Sequence, residues 1–181
     1  MRIPLLFSWL ALSGMLCAQE NTFTVTSSSL GGQATEAQVF NSFGCTGKNI
    51  SPQLSWANAP EGTKSFAITM YDPDAPTGSG WWHWLAFDIS ANTTSIPAGA
   101  GATSTLDMPA GTIQSITDFG AVGYGGPCPP PGHGLHQYMI TVYALKTEKL
   151  GLDSKTGAAV VGYTINSQML GKASLVFYFG R

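Results

Sequence analysis

Tyr71-Asp72-Pro73-Asp74-Ala75-Pro76-Thr77-Gly78-Ser79-Gly80-Trp81-Trp82-His83-Trp84 places two carboxylates, a histidine and three tryptophans around one proline- and glycine-containing loop. The run before it, Ser65 to Tyr71, alternates as a strand, with Phe66, Ile68 and Met70 on one face. The run after it, Trp84 to Ile89, alternates again and assigns Leu85, Phe87 and Ile89 to one face. Two-residue periodicity puts Asp72 with the first apolar set and His83 with the second. Antiparallel pairing across the loop then brings Asp72 and His83 together at the core-facing rim of a sheet, within hydrogen-bond reach. The plainer alternative makes Asp72 the cap of an Asx turn before Pro73 and His83 a satisfied core histidine.

A second informative stretch runs from Gly123 to Tyr138, through Gly126-Pro127-Cys128-Pro129-Pro130-Pro131-Gly132-His133-Gly134-Leu135-His136-Gln137-Tyr138, and opens into the strand-like Met139 to Leu145. Glycines permit close backbone approach and prolines stiffen the segment, which suits the wall of a small polar cavity. His136 and Tyr138 fall in register with Ile140 and Val142 at the entry of that strand.

Outward from these stretches the chain reads as mainly β. Phe23 to Thr26 and Gln53 to Trp56 are short strands, Ala59 to Lys64 is a turn, and Lys172 to Gly180 closes the chain as a strand with Leu175, Phe177 and Phe179 alternating. Ser154 to Asn166, with Ala158, Val161 and Ile165 at helical spacing, is a short helix. Ala91 to Phe119 is a charge-poor connection in which Leu106, Met108 and Ile113 anchor the backbone, and no chemistry is assigned to it.

Met1-Arg2 followed by the apolar run Ile3 to Leu16 has the form of a signal peptide and is too short for the roughly 20 residues that span a bilayer. Residues 1–18 are therefore expected to be removed after Ala18, leaving residues 19–181 as one domain of an exported, periplasmic or secreted protein. Cys17 would carry a lipid only if a lipoprotein site were formed, and Leu16 before it disfavours that. Cleavage leaves Cys45 and Cys128 as an even pair, for which a disulfide is the default in an exported protein. A metal site using both thiols would need further ligands that the sequence does not place beside them. Of the 181 residues only 10% are charged, the formal net charge is −2, and no Lys/Arg cluster occurs, so the electrostatic footprint of a nucleic-acid binder is absent.

The two motifs, in this order and with Trp56 and the terminal Tyr178-Phe179-Gly180-Arg181, resemble the phosphatidylethanolamine-binding protein family, in particular its bacterial exported branch of Raf kinase inhibitor-like proteins. The resemblance covers essentially all of the mature chain. It implies a large antiparallel sheet packed on a smaller one with few short peripheral helices, and a pocket for phosphate or a phospholipid headgroup. The positions matching that pocket are Asp72, Pro76, Trp81, His83, Pro129, Pro130, His136 and Tyr138. Gln137 departs from the arginine usual in the family and removes a fixed charge expected near the mouth. Positive charge is then left to His83 or His136, with Asp72 holding His83 in one tautomer.

No cofactor, resident metal or catalysis follows from this reading. The anion is the expected partner, a protein partner is not specified, and a homodimer is compatible with it. Two other functions compete. A hydrolase would use Asp72, Asp74, His83 and His136 as metal ligands or acid-base groups, and a glycan-binding β-sandwich would use Trp81, Trp82 and Trp84 as a stacking platform. Intact mass of exported protein checks the leader: a chain beginning near Gln19 is expected, and a retained leader or an added lipid mass would overturn it.

Overall fold

A computed structural model describes residues 22–102 and 107–181. The expected leader and Leu106 lie outside the described residues. The elements are β1 (Thr24–Thr26), β2 (Leu54–Ala57), β3 (Ser65–Asp72), β4 (Trp81–Ser90), β5 (Ser95–Ile96), β6 (Ile113–Gln114), β7 (His136–Leu145), α1 (Ala158–Gln168) and β8 (Met169–Phe179). The small sheet runs β1-β2-β5 and the large one β6-β4-β3-β7-β8, with every pairing between neighbouring strands antiparallel. This is the mainly β architecture, with a large antiparallel sheet packed on a smaller one, that the family resemblance implied.

Three layers result from strand alternation. Phe66, Ile68 and Met70 of β3 and Tyr138, Ile140, Val142 and Ala144 of β7 face the small sheet, where they pack with Leu54, Trp56 and Ile96. Trp56 meets Phe66 edge to face at 5.3 Å, tying the two sheets together. On the opposite face Ala67, Leu85, Phe87 and Leu145 receive Ala158, Val161 and Ile165 of α1. That helix has no side-chain N-cap bond, no acid in its first turn and no base in its last. Its place is therefore held by burial of one face rather than by capping or dipole effects.

β4 departs from simple alternation, and the departure corrects the sequence reading. Trp84, Ala86 and Ile89 face the small sheet, whereas Leu85 and Phe87 face the helix. Leu85, Phe87 and Ile89 thus do not share a face. Two irregularities cause this. Phe66 pairs with Ile89 but Ile68 with Ala86, and Met70 pairs with Trp84 but Tyr71 with Trp82, so β4 carries an extra residue at each place. Asp88, at the first bulge, adopts φ 58° and accepts a hydrogen bond from Leu150 N at 2.8 Å. Aspartate tolerates that left-handed backbone better than the β-branched residues common in strands.

The remaining expectations hold with shifted ends. β4 begins at Trp81, β7 at His136 and β8 at Met169, each extending the expected strand. The 91–119 connection contains β5 and β6, and Met108 is buried while Ile113 packs against the helix-side core.

Cys45 and Cys128 are disulfide-bonded across 83 residues of sequence with Cα atoms 6.0 Å apart. The bond joins the turn after Phe43 to the proline-rich loop before β7. Closing a loop of this length restricts the unfolded chain by about 4.5 kcal/mol in the chain-entropy treatment. Reducing the bond, or replacing both cysteines by serine, is expected to lower the unfolding free energy by about 2–4.5 kcal/mol in denaturant titrations; unchanged stability would show that the bond does not form in solution.

Candidate functional site

β3 lies between β4 and β7, so antiparallel pairing places the end of β3 beside the beginnings of both neighbours. Asp72 ends β3, Trp81 and His83 begin β4, and His136 and Tyr138 begin β7. These five side chains line a cavity of about 200 Å³ together with Phe43, Ala75, Pro76, Thr77, Phe119, Cys128, Pro129 and Pro130. All eight site residues singled out in the sequence therefore line one cavity. Its volume is below the roughly 300–1,000 Å³ of a drug-sized pocket and suits a small group.

The pairing within it is different from the one expected. Asp72 Oδ2 accepts from His136 Nδ1 at 2.8 Å, and its Oδ1 accepts from Asp74 N at 2.8 Å. Asp72 thus orients His136 rather than His83, and its second oxygen makes the Asx turn that was the plainer alternative. His83 Nδ1 donates instead to Gly125 O at 2.7 Å, and Gly125 N donates back to His83 O at 2.9 Å. The physical reason is the second β4 bulge: His83 is the additional residue between the Met70–Trp84 and Tyr71–Trp82 pairs, and it is held against the Gly125 segment. Its arrival on the cavity side also comes from the bulge, since simple alternation would have grouped it with Leu85 and Phe87.

Burial lowers the His83 pKa from 6.5 to about 4, against the smaller opposing effects of the Gly125 carbonyl and the Asp72 charge. At neutral pH the ring is neutral, with its proton on Nδ1 and Nε2 left as an acceptor. His83 is therefore no source of positive charge there, contrary to the sequence reading.

Two donors in the wall are left over. The indole Nε1 of Trp81 and the hydroxyl of Tyr138 are buried without hydrogen-bond partners. Desolvation raises the Tyr138 pKa, as do the charge of Asp72 and the nearness of its carboxylate to the hydroxyl, an approach that stops short of a full hydrogen bond. The aromatic rings are fixed by their neighbours: Phe119 stands edge-on to Trp81 at 5.4 Å and to His83 at 5.1 Å, and Tyr138 stacks on Phe177 at 5.4 Å.

Several wall-building residues escaped the sequence reading. Phe119 lies in the connection to which no chemistry was assigned, and an aromatic before a glycine in an otherwise small-residue segment was its only signal. Arg181 bonds Pro129 O at 2.7 Å, Gly44 O at 2.8 Å and Phe43 O at 3.3 Å, joining both sides of the disulfide-linked wall. Its guanidinium is spent on carbonyls. Gln137 is not among the lining residues; its backbone N donates to Asp74 Oδ2 at 2.7 Å, and it alternates away from His136 and Tyr138. Gly126 has a steric requirement, since a Cβ there would stand 1.9 Å from Gln38 O.

Among the described residues neither a cluster of three metal-capable side chains nor a shared tryptophan platform is formed. Asp72, Asp74 and His83 have the atoms named above committed to protein partners, and among the described residues no group of three or more His, Cys, Asp or Glu side chains is placed to hold a metal. Trp84 is fully buried in the inter-sheet core and Trp82 packs on the helix side, so Trp81, Trp82 and Trp84 form no common platform.

Two antiparallel sheets with a small polar-aromatic cavity at the ends of the central strands define the class. Residues 31–180 match the phosphatidylethanolamine-binding protein family, and the chain belongs to that family. It is 49% identical over 160 residues to the UPF0098 protein YbcL of Escherichia coli, covering 87% of each chain, and 47% identical over 141 residues to YbhB of the same organism, covering 78% of this chain and 88% of that one. The crystal structure of E. coli YbcL, described as a member of the mammalian PEBP family, superposes with a TM-score of 0.86 at 48% identity, covering 88% of this chain and 98% of that one. A Chlamydia trachomatis homologue at 24% identity shares the fold, with a TM-score of 0.74 over 89% of this chain and 99% of that one.

The buried neutral His83 makes a testable link to stability. Its folded pKa is below the unfolded value near 6.5, so the stability associated with the neutral ring is present above about 6.5 and is lost as pH falls toward 4. The loss amounts to roughly 3 kcal/mol across that window. NMR titration should place the His83 ring near 4; a midpoint near 6.5 would mean that the ring is solvated.

Proposed function

We propose that the cavity binds a small oxyanion, phosphate or the phosphate of a phospholipid headgroup, and does so without catalysis. The observation that carries this reading is the pair of buried unpartnered donors, Trp81 Nε1–H and Tyr138 O–H, in one cavity wall. A buried donor without a partner costs about 1–3 kcal/mol, and an oxyanion supplies the missing acceptor to both. Neutral His83 adds an acceptor, which suits a ligand that also carries a proton, such as dihydrogen phosphate or a protonated ethanolamine phosphate. Asp72 is negative when ionised and close by, and this favours singly charged ligands over a phosphate dianion.

The Asp72–His136 pair has the form of an oriented general base and supports a hydrolase as a second reading. Its Nε2, however, is 3.2 Å from His133 Nδ1 rather than from a hydroxyl nucleophile. Export, and with it encounter of ligands outside the cytoplasm, belongs to this proposal through the leader-like first 18 residues.

Tyr138→Phe separates binding from folding. Removing an unpartnered hydroxyl is expected to leave stability unchanged or slightly raised, while removing a hydrogen bond to a charged acceptor weakens binding by roughly tenfold or more. Calorimetry with inorganic phosphate and with glycerophosphoethanolamine checks this between pH 5 and 8. Phosphate should bind less tightly as its second ionisation proceeds, whereas the diester, whose phosphate keeps one negative charge beside a constant ammonium, should respond only to the protein. Unchanged affinity in Tyr138→Phe would remove this cavity from the proposal.

A further inference from the structure

We propose that His133 and His136 form a two-imidazole site for a late first-row divalent cation, copper(II) or zinc(II), at the margin of the cavity. His133 Nδ1 and His136 Nε2 are 3.2 Å apart, with ring centroids separated by 5.5 Å. Two nitrogens bound to one cation at about 2.0–2.1 Å stand about 3.3–3.4 Å apart at a tetrahedral angle and about 2.8–3.0 Å apart at a right angle. The observed separation lies between these values. Imidazole is a favoured ligand for both ions, and copper(II) heads the affinity order of the divalent series.

The support behind the pair points the same way. A histidine that ligates through one nitrogen ordinarily donates its other N–H to a carboxylate or carbonyl, which fixes its tautomer and raises its basicity. His136 donates from Nδ1 to Asp72 Oδ2 at 2.8 Å, so Nε2 is the nitrogen left for a ligand role, and it is the one facing His133. Asp72 is an orienting group and not itself a ligand, since both its oxygens already accept hydrogen bonds. Two opposed ring nitrogens share one proton in the His–His hydrogen bond; a cation takes the place of that proton. His133 is exposed, which leaves its ring room to turn and direct its lone pair at a shared ion. With two protein ligands, the remaining coordination positions go to water or other small ligands. This site differs from the set considered in the sequence, because Asp74 and His83 take no part and His133 replaces them.

The test uses untagged mature-length protein, stripped with chelator and kept in phosphate-free buffer, so that failure of anion binding has no bearing on the outcome. Copper(II) titration followed by electron paramagnetic resonance is expected to give one ion per chain with hyperfine structure from two imidazole nitrogens. Zinc(II) calorimetry should give the same stoichiometry. His133→Gln, on an exposed side chain, should keep the thermal transition and lose at least about tenfold in affinity for both ions. Asp72→Asn should weaken binding by about 10–100-fold if it folds. The proposal is overturned if wild-type protein takes up neither ion, or if His133→Gln binds copper(II) with unchanged affinity and spectrum, which would place the ion at the chain terminus or another surface group.

Discussion

The hydrogen bond between Asp72 and His136 joins the end of β3 to the beginning of β7 at a place where both residues are about 97–98% buried. A carboxylate in that position is costly unless its oxygens are satisfied, and both are. One oxygen closes the turn that starts the 72–80 loop, and the other orients the first ring of β7. Asp74 repeats the connection one step further out by accepting from Gln137 N. The loop is consequently fastened to the far neighbour of β3 as well as to the strand it leads into, and Ala75, Pro76 and Thr77 are set against Pro129 and Pro130 across the cavity.

The cavity is built with little fixed charge. His83 is kept neutral by burial, Arg181 is occupied by three carbonyls, and Gln137 leaves the wall through strand alternation. The groups it presents are oriented dipoles: an indole N–H, a phenol O–H and an imidazole acceptor on largely buried side chains. Such groups are stronger partners in a low-dielectric setting than on the surface, and they cost stability while unpaired. The disulfide and the Arg181 bonds hold the opposite wall and offset part of that cost.

The contents of the site were legible because chemically distinctive residues cluster at the ends of apolar alternations. Asp72, His83, His136 and Tyr138 each flank a strand pattern, and antiparallel neighbours must bring such ends together. The partnerships were less legible. Alternation within β4 failed at two bulges, which reverse the faces of the residues between them and leave no mark in a hydrophobic pattern. Phe119 and Arg181 were missed for a related reason: each reaches the wall through a loop or terminus whose path has no periodicity to read.

Sequence by itself determined the mainly β class, the strands around the two motifs, the helical stretch carrying Ala158, Val161 and Ile165, and the places of Asp72, His83, His136 and Tyr138 at strand ends. These follow from local periodicity, turn residues and motif spacing, which are properties of short segments. Only the tertiary structure decided that Asp72 holds His136, that Gly125 holds His83 in a neutral state, and that two donors are left unpaired. Those outcomes depend on competition among partners 40 or more residues apart in the chain, settled by strand register, bulges and the depth of burial.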